Sequence, residues 1–217
     1  MHHCPCEDGS MPNIDESARA WQTEGSSRVG RAIAAAREEL GLTAVDLANR
    51  TRELGFPISR VAISKIENNS RAGKLDVAEL VVLSRALNVP PLALIYPDLP
   101  DGEVELWPGQ QARSIVAAMW FSGEGNVATV MTHAGEKVDR ATRDAADKGA
   151  ERLVDSRRYM DLRYVQRMVR LEIAKARVEE DETTLALRRQ ELIALDELQN
   201  DLVERMTDRG WPVDDIG

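Results

Sequence analysis

The chain has 217 residues, of which 43% are hydrophobic, 30% charged and only 4% aromatic, and its net charge is −9. That length suits one large domain or two small ones, and the apolar content supports a packed core, which excludes wholesale disorder. A negative total argues against a general nucleic-acid coat, although the sign of the charge is uneven along the chain. No window of about 18 uncharged apolar residues occurs, which excludes a helical membrane span. The first residues lack a basic start followed by an apolar run, so a cytoplasmic protein is the expectation. The apolar residues are mostly Leu, Ala, Val and Ile, a mixture that favours helices and predicts an all-α fold.

Residues 1–27 contain Gly9, Pro12, Gly25, Ser26 and Ser27 and show no periodic apolar pattern, so they read as a disordered arm. His2, His3, Cys4 and Cys6 would suit a soft metal if reduced, but an incidental tail is the preferred reading. No metal and no cofactor is expected.

Residues 28–99 form a dense, regular block. Val29, Ile33, Ala36 and Leu40 recur at helical spacing, and Gly41 follows as a C-terminal cap. Thr43 caps a second helix with Asp46 three residues on, as in a capping box; its stripe is Leu47, Ala48 and Thr51. Gly55-Phe56-Pro57-Ile58 cannot continue that helix. Ser59 starts a short third helix with Ile63 and Ile66 inward, and Asn68 to Lys74 is a polar loop. Asp76 caps a fourth helix through Leu80, Leu83 and Leu87, and Pro90-Pro91 opens a fifth that ends at Tyr96.

Five short helices with a tight turn before the third describe a helix-turn-helix module. Arg37, Gly41-Leu42-Thr43, Leu47-Ala48, Ile58-Ser59, Ile63-Ser64-Lys65-Ile66-Glu67 and Leu83…Ala86-Leu87-Asn88-Val89 resemble the XRE-type, phage-repressor-like helix-turn-helix family over residues 28–96. Two positions depart from it. The stretch between Ala48 and Gly55 is longer than usual, and Ala44 stands where many members carry Gln. The resemblance implies a five-helix, lambda-repressor-like domain that binds double-stranded operator DNA, in which Arg60, Val61 and Lys65 read bases. Ser59, Ser64, Asn68, Arg71 and Lys74 would then contact the DNA backbone.

Helical geometry supports this independently. With Ile63 and Ile66 inward, Arg60, Val61, Ser64 and Lys65 point outward. Residues 59–74 carry Arg60, Lys65, Arg71 and Lys74 against Glu67 alone, a local excess of positive charge in an acidic chain. Arg or Lys on a helix in the major groove pairs with guanine edges, and Val61 suits a thymine methyl. Glu67 reads as structural. The alternative for Arg60 and Lys65, an ordinary solvated face, loses weight once they are joined to the full motif.

Residues 100–134 read as a connector with one helix over Gln110 to Phe121, interrupted by Gly and Pro. From 135 to 217 the chain reads as a long helical hairpin of coiled-coil character, with helices over 136–178 and 183–208 and Thr183 or Thr184 as a cap. Leu185, Leu192, Leu195, Leu202 and Met206 fall near heptad positions, with Arg188 and Gln199 interrupting. Arg163, Arg167 and Arg170 share one face. They read either as a secondary DNA contact or, preferably, as partners for the acidic residues Glu191, Asp196, Glu197, Asp201 and Glu204 of the next helix.

There is no His-Glu-x-x-His, no phosphate-binding Gly-rich loop and no β-rich C-terminal half, and His133 has no clustered carboxylates, so an enzyme is not expected. The expectation is a nucleoid-associated transcriptional repressor of host or prophage type, acting as a homodimer. The alternative is an adaptor or antitoxin whose hairpin receives a protein partner.

Overall fold

The computed structural model describes residues 16–71 and 73–213. They fall into two compact units, Met1–Ser122 with Thr132–Glu136 and Gly123–Met131 with Lys137–Gly217. Among the described residues the fold is helical apart from one small hairpin, and no described helix is long and apolar enough to cross a membrane.

The first unit holds α1 (Glu16–Glu39), α2 (Ala44–Glu53), α3 (Arg60–Glu67), α4 (Val77–Leu87) and α5 (Pro91–Ile95). Each boundary has a local cause. Gly41 sits at φ +65, and Leu42 N donates to Arg37 O, closing α1 with a left-handed cap. Thr43 and Asp46 form a reciprocal capping box on α2, and Asp76 and Glu79 do the same on α4. Those hydrogen bonds from Thr43 hold the Asp46 carboxyl below its ordinary pKa. Asn88 ends α4 in the left-handed region, and Pro91 begins α5 where no amide is needed. Ile33, Leu47, Ile63, Leu83 and Leu87 are fully buried and, with the buried Leu94 of α5, join the five helices in one core.

The expected arm over 1–27 is instead helical from Glu16, since α1 starts there; residues 1–15, with His2, His3, Cys4 and Cys6, lie outside the described residues. The extension is held by tertiary contacts. Trp21 Nε1 donates to Glu105 O at 3.0 Å, and Ser26 Oγ donates to Gly73 O at 2.8 Å.

The region expected as a connector with one helix also differs. It contains an antiparallel hairpin of β1 (Glu103–Trp107) and β2 (Gln110–Arg113), then α6 (Ser114–Ser122) and α7 (Val127–His133). Val104 and Leu106 alternate inward, and Gly109 supplies the positive φ of the turn. Trp107 meets Trp120 edge-on at 5.5 Å, and Tyr96 meets Phe121 likewise at 6.0 Å.

In the second unit α8 (Arg140–Val178) and α9 (Glu182–Asp208) pack along each other. The cap on α9 is Asp181 rather than Thr183 or Thr184; its carboxylate accepts from Thr184 N at 3.0 Å. The seam of α8 runs through Tyr159, Gln166, Val169, Ile173 and Ala176, and that of α9 through Leu185, Leu202 and Met206, with Leu192 and Leu195 partly covered. Two apolar clusters result, separated by polar seam positions. Gln166 is buried and donates from Nε2 to Asp196 Oδ1 at 2.9 Å. Arg188 reaches out of the seam to Glu172 at 2.6 Å and to Glu191 at 2.5 Å.

Candidate nucleic-acid interface

The α3 helix is set by its two ends and its underside. At its start the Ser59 hydroxyl accepts from Ala62 N at 3.1 Å. Ile63 and Ile66 are buried beneath it. At about 100° per residue this puts Val61 and Lys65 on the opposite side and Arg60 on its flank; all three are exposed, Val61 57%, with Ser64 half-buried beside them. Among the described residues Arg60, Lys65 and Lys74 form no ion pair, so their charge faces solvent.

The preceding turn depends on a buried hydroxyl. Thr51 Oγ1 donates to Ala48 O at 2.9 Å and accepts from Ile58 N at 3.0 Å, so the amide just before α3 is satisfied from α2. Gly55, at φ +84, reverses the chain between them. Replacing Thr51 with Val keeps the shape but leaves the Ile58 amide buried and unpaired. The expected result is a loss of about 1–3 kcal/mol in unfolding free energy, read from urea titration, with Thr51→Ser retaining most of it.

The far end of α3 is fixed to α1. Arg37 Nε donates to Glu67 Oε1 at 2.7 Å and Nη2 to Oε2 at 3.2 Å, while Nη1 donates to Leu42 O at 2.9 Å. The two side chains are only 14% and 10% exposed. The hydrogen bonds that Arg37 donates to Glu67 hold the Arg37 pKa above its ordinary value despite burial, so the guanidinium stays charged. Beneath the same turn lies Gly30, where a Cβ would stand 2.4 Å from Ile66 O.

The loop after α3 is tied down as well. Asn69, at φ +49, donates from Nδ2 to Thr23 O at 2.9 Å and to Ser27 Oγ at 3.0 Å. Of the residues expected to contact the DNA backbone, Ser59, Ser64 and Asn68 lie along α3 and Lys74 is exposed beyond it. Arg71 is half-buried, and Nη1 contacts both Glu79 oxygens at 2.8 and 2.7 Å, which spends part of its charge on the α4 cap.

Arg163, Arg167 and Arg170 lie elsewhere, in the second unit, along a groove of about 950 Å³ between α8 and α9. Arg163 donates to Tyr159 Oη at 3.0 Å and Arg170 lies 3.6 Å from Asp196, whereas Arg167 has no ion-pair partner among the described residues.

Gly30, Thr51 and Asn69 position α3 and its flanking turns, a role that the sequence does not single out. Gly30 had no local signal, since a helical glycine reveals its reason only when a neighbour's backbone is in place. Thr51 was legible as an inward polar residue on an apolar stripe.

Residues 33–94 match the Helix-turn-helix family, and over this segment the chain has a helix-turn-helix of XRE type. That family is one of DNA-binding regulators. No curated protein and no solved structure matches the chain.

Proposed function

We propose that a chain with this helix-turn-helix over residues 33–94 is a sequence-specific transcriptional regulator, acting as a repressor by occupying its operator. The carrying observation is the outward face of α3: Arg60, Val61 and Lys65 project from a helix whose position is over-determined by Ser59, Ile63, Ile66 and Glu67. A helix of this kind enters the major groove, where Arg60 and Lys65 pair with guanine edges and Val61 packs on a thymine methyl. Ser59, Ser64, Asn68, Arg71 and Lys74 hold the phosphates on either side, Arg71 from its anchorage on Glu79. The C-terminal hairpin joins copies, so that two α3 helices about 34 Å apart meet a two-fold symmetric operator. Such a protein works at the nucleoid.

A selection from random DNA recovers the operator, and the variants test the roles. Arg60→Ala or Lys65→Ala costs about 1–3 kcal/mol on the selected site and relaxes base preference at one position. Lys74→Ala weakens selected and random DNA alike and makes the slope of log K against log salt shallower by about one unit. Equal losses on both DNAs for Arg60→Ala would refute its assignment to base reading.

A second reading, an adaptor or antitoxin working through the hairpin, draws on the exposed Met160, Tyr164 and Leu171 that flank the arginines of α8. Those apolar neighbours also favour protein over phosphate as the partner of Arg163, Arg167 and Arg170. Deleting residues 136–217 separates the readings. Half-site recognition by α3 survives in a regulator, while an adaptor loses its partner complex.

A further inference from the structure

A helix that is apolar only along its seam is satisfied by one neighbour; one with a second apolar row is not. The α8 helix has such a row. Met160, Tyr164 and Leu171 are 59%, 65% and 56% exposed although they lie in the middle of the hairpin, and they recur with Arg167 at steps of four, three and four residues. A matching row lies on α9. Leu187 and Leu198 are 59% and 46% exposed, and they recur with Glu191 and the exposed Ala194 at the same steps. Neither row belongs to the seam within the hairpin, which uses Gln166, Val169, Ile173, Leu185 and Leu202.

We infer that a second copy of this chain docks its α9 antiparallel on the outer row of α8, with Leu187 opposite Leu171, Glu191 opposite Arg167, Ala194 opposite Tyr164 and Leu198 opposite Met160. One register satisfies all four positions. It sets apolar against apolar three times and places the only acidic residue of one row on the only basic residue of the other. Charge selects this partner over the obvious alternatives. Two α8 rows face to face would crowd Arg163, Arg167 and Arg170 of both copies together, and two α9 rows would do the same with Glu191, Glu197 and Asp201. Arg167 has no ion-pair partner among the described residues, and Glu191 remains 39% exposed beside Arg188, so both are accessible to the pairing.

The inference deepens the proposed joining of copies through the hairpin and rests on that part of the reading. Its test is sedimentation of the full chain without DNA, with helicity by circular dichroism as the folding control. Wild type is expected to self-associate at tens of micromolar. Arg167→Glu and Glu191→Arg are each expected to raise the self-dissociation constant about tenfold or more, because each sets like charges opposite. The double variant restores association, since the pair is re-formed with its signs exchanged. A double variant no tighter than the singles overturns the register, and a wild type that remains monomeric overturns the surface. Either result leaves operator recognition by α3 standing, because base preference in half-site binding is read on separate DNA.

Discussion

Gly30→Ala is expected to destabilise the protein, although alanine is the better helix former. In an open helix interior the change would gain about 1 kcal/mol from propensity alone. Here the added methyl would lie 2.4 Å from Ile66 O and 3.0 Å from Glu67 O, both in the backbone of α3, where no side-chain rotation relieves the clash. Either α1 or the last turn of α3 must shift, and overpacking of this kind costs about 1–3 kcal/mol or more. Gly25 in the same helix is the internal control, since a Cβ there meets nothing within 4 Å and Gly25→Ala should be neutral or stabilising. Denaturant midpoints of the two variants decide the matter. If they shift in the same direction, the close approach of α1 and α3 is wrong. If the last turn of α3 is the part that shifts, affinity of Gly30→Ala for the selected DNA should fall together with stability.

Glu67→Ala is expected to cost about 3 kcal/mol, the scale for removing one member of a largely buried ion pair. The loss is dominated by what remains. Arg37 stays charged at every working pH, is 14% exposed and would keep only Leu42 O and the exposed Glu38 as partners. Replacing both members, as Arg37→Met with Glu67→Leu, should recover most of the loss, because no unpaired charge is then buried. Urea unfolding of wild type, Arg37→Met, Glu67→Leu and the double variant forms a double-mutant cycle, and a coupling energy near zero would show that the fork geometry contributes nothing. The pair spans 30 residues, so it acts as a clamp between α1 and α3 rather than as local helix support.

Much of the first unit was legible because its signals act within a few residues. Thr43 with Asp46, Ser59, Asp76 and the left-handed Gly41 each close a helix end by hydrogen bonds spanning less than two turns. The spacing of Ile63 and Ile66 likewise determines which way Arg60, Val61 and Lys65 point. The β-hairpin is not legible from the sequence even though Glu103-Val104-Glu105-Leu106-Trp107 alternates and Pro108-Gly109 marks the turn. Five residues of alternation weigh little against a helical background, and pairing with Gln110–Arg113 resolves the ambiguity only when both strands are present. The helical start of α1 is not legible locally for a similar reason. Ser26, Ser27 and Gly25 discourage a helix locally, and Trp21, Ser26 and the Asn69 tether overrule them from elsewhere in the chain.

Sequence alone was enough for the order of the helices, for their caps and for the outward cationic face of α3, because periodicity and end chemistry are local properties of the chain. Only the tertiary structure decided that Gly30 lies under the Ile66 carbonyl, that Arg71 is anchored by Glu79 while Lys74 stays exposed, and that both long helices keep a second apolar row outside their seam. Each of these depends on distances between residues remote in sequence, and such distances exist only once the core has brought the elements together.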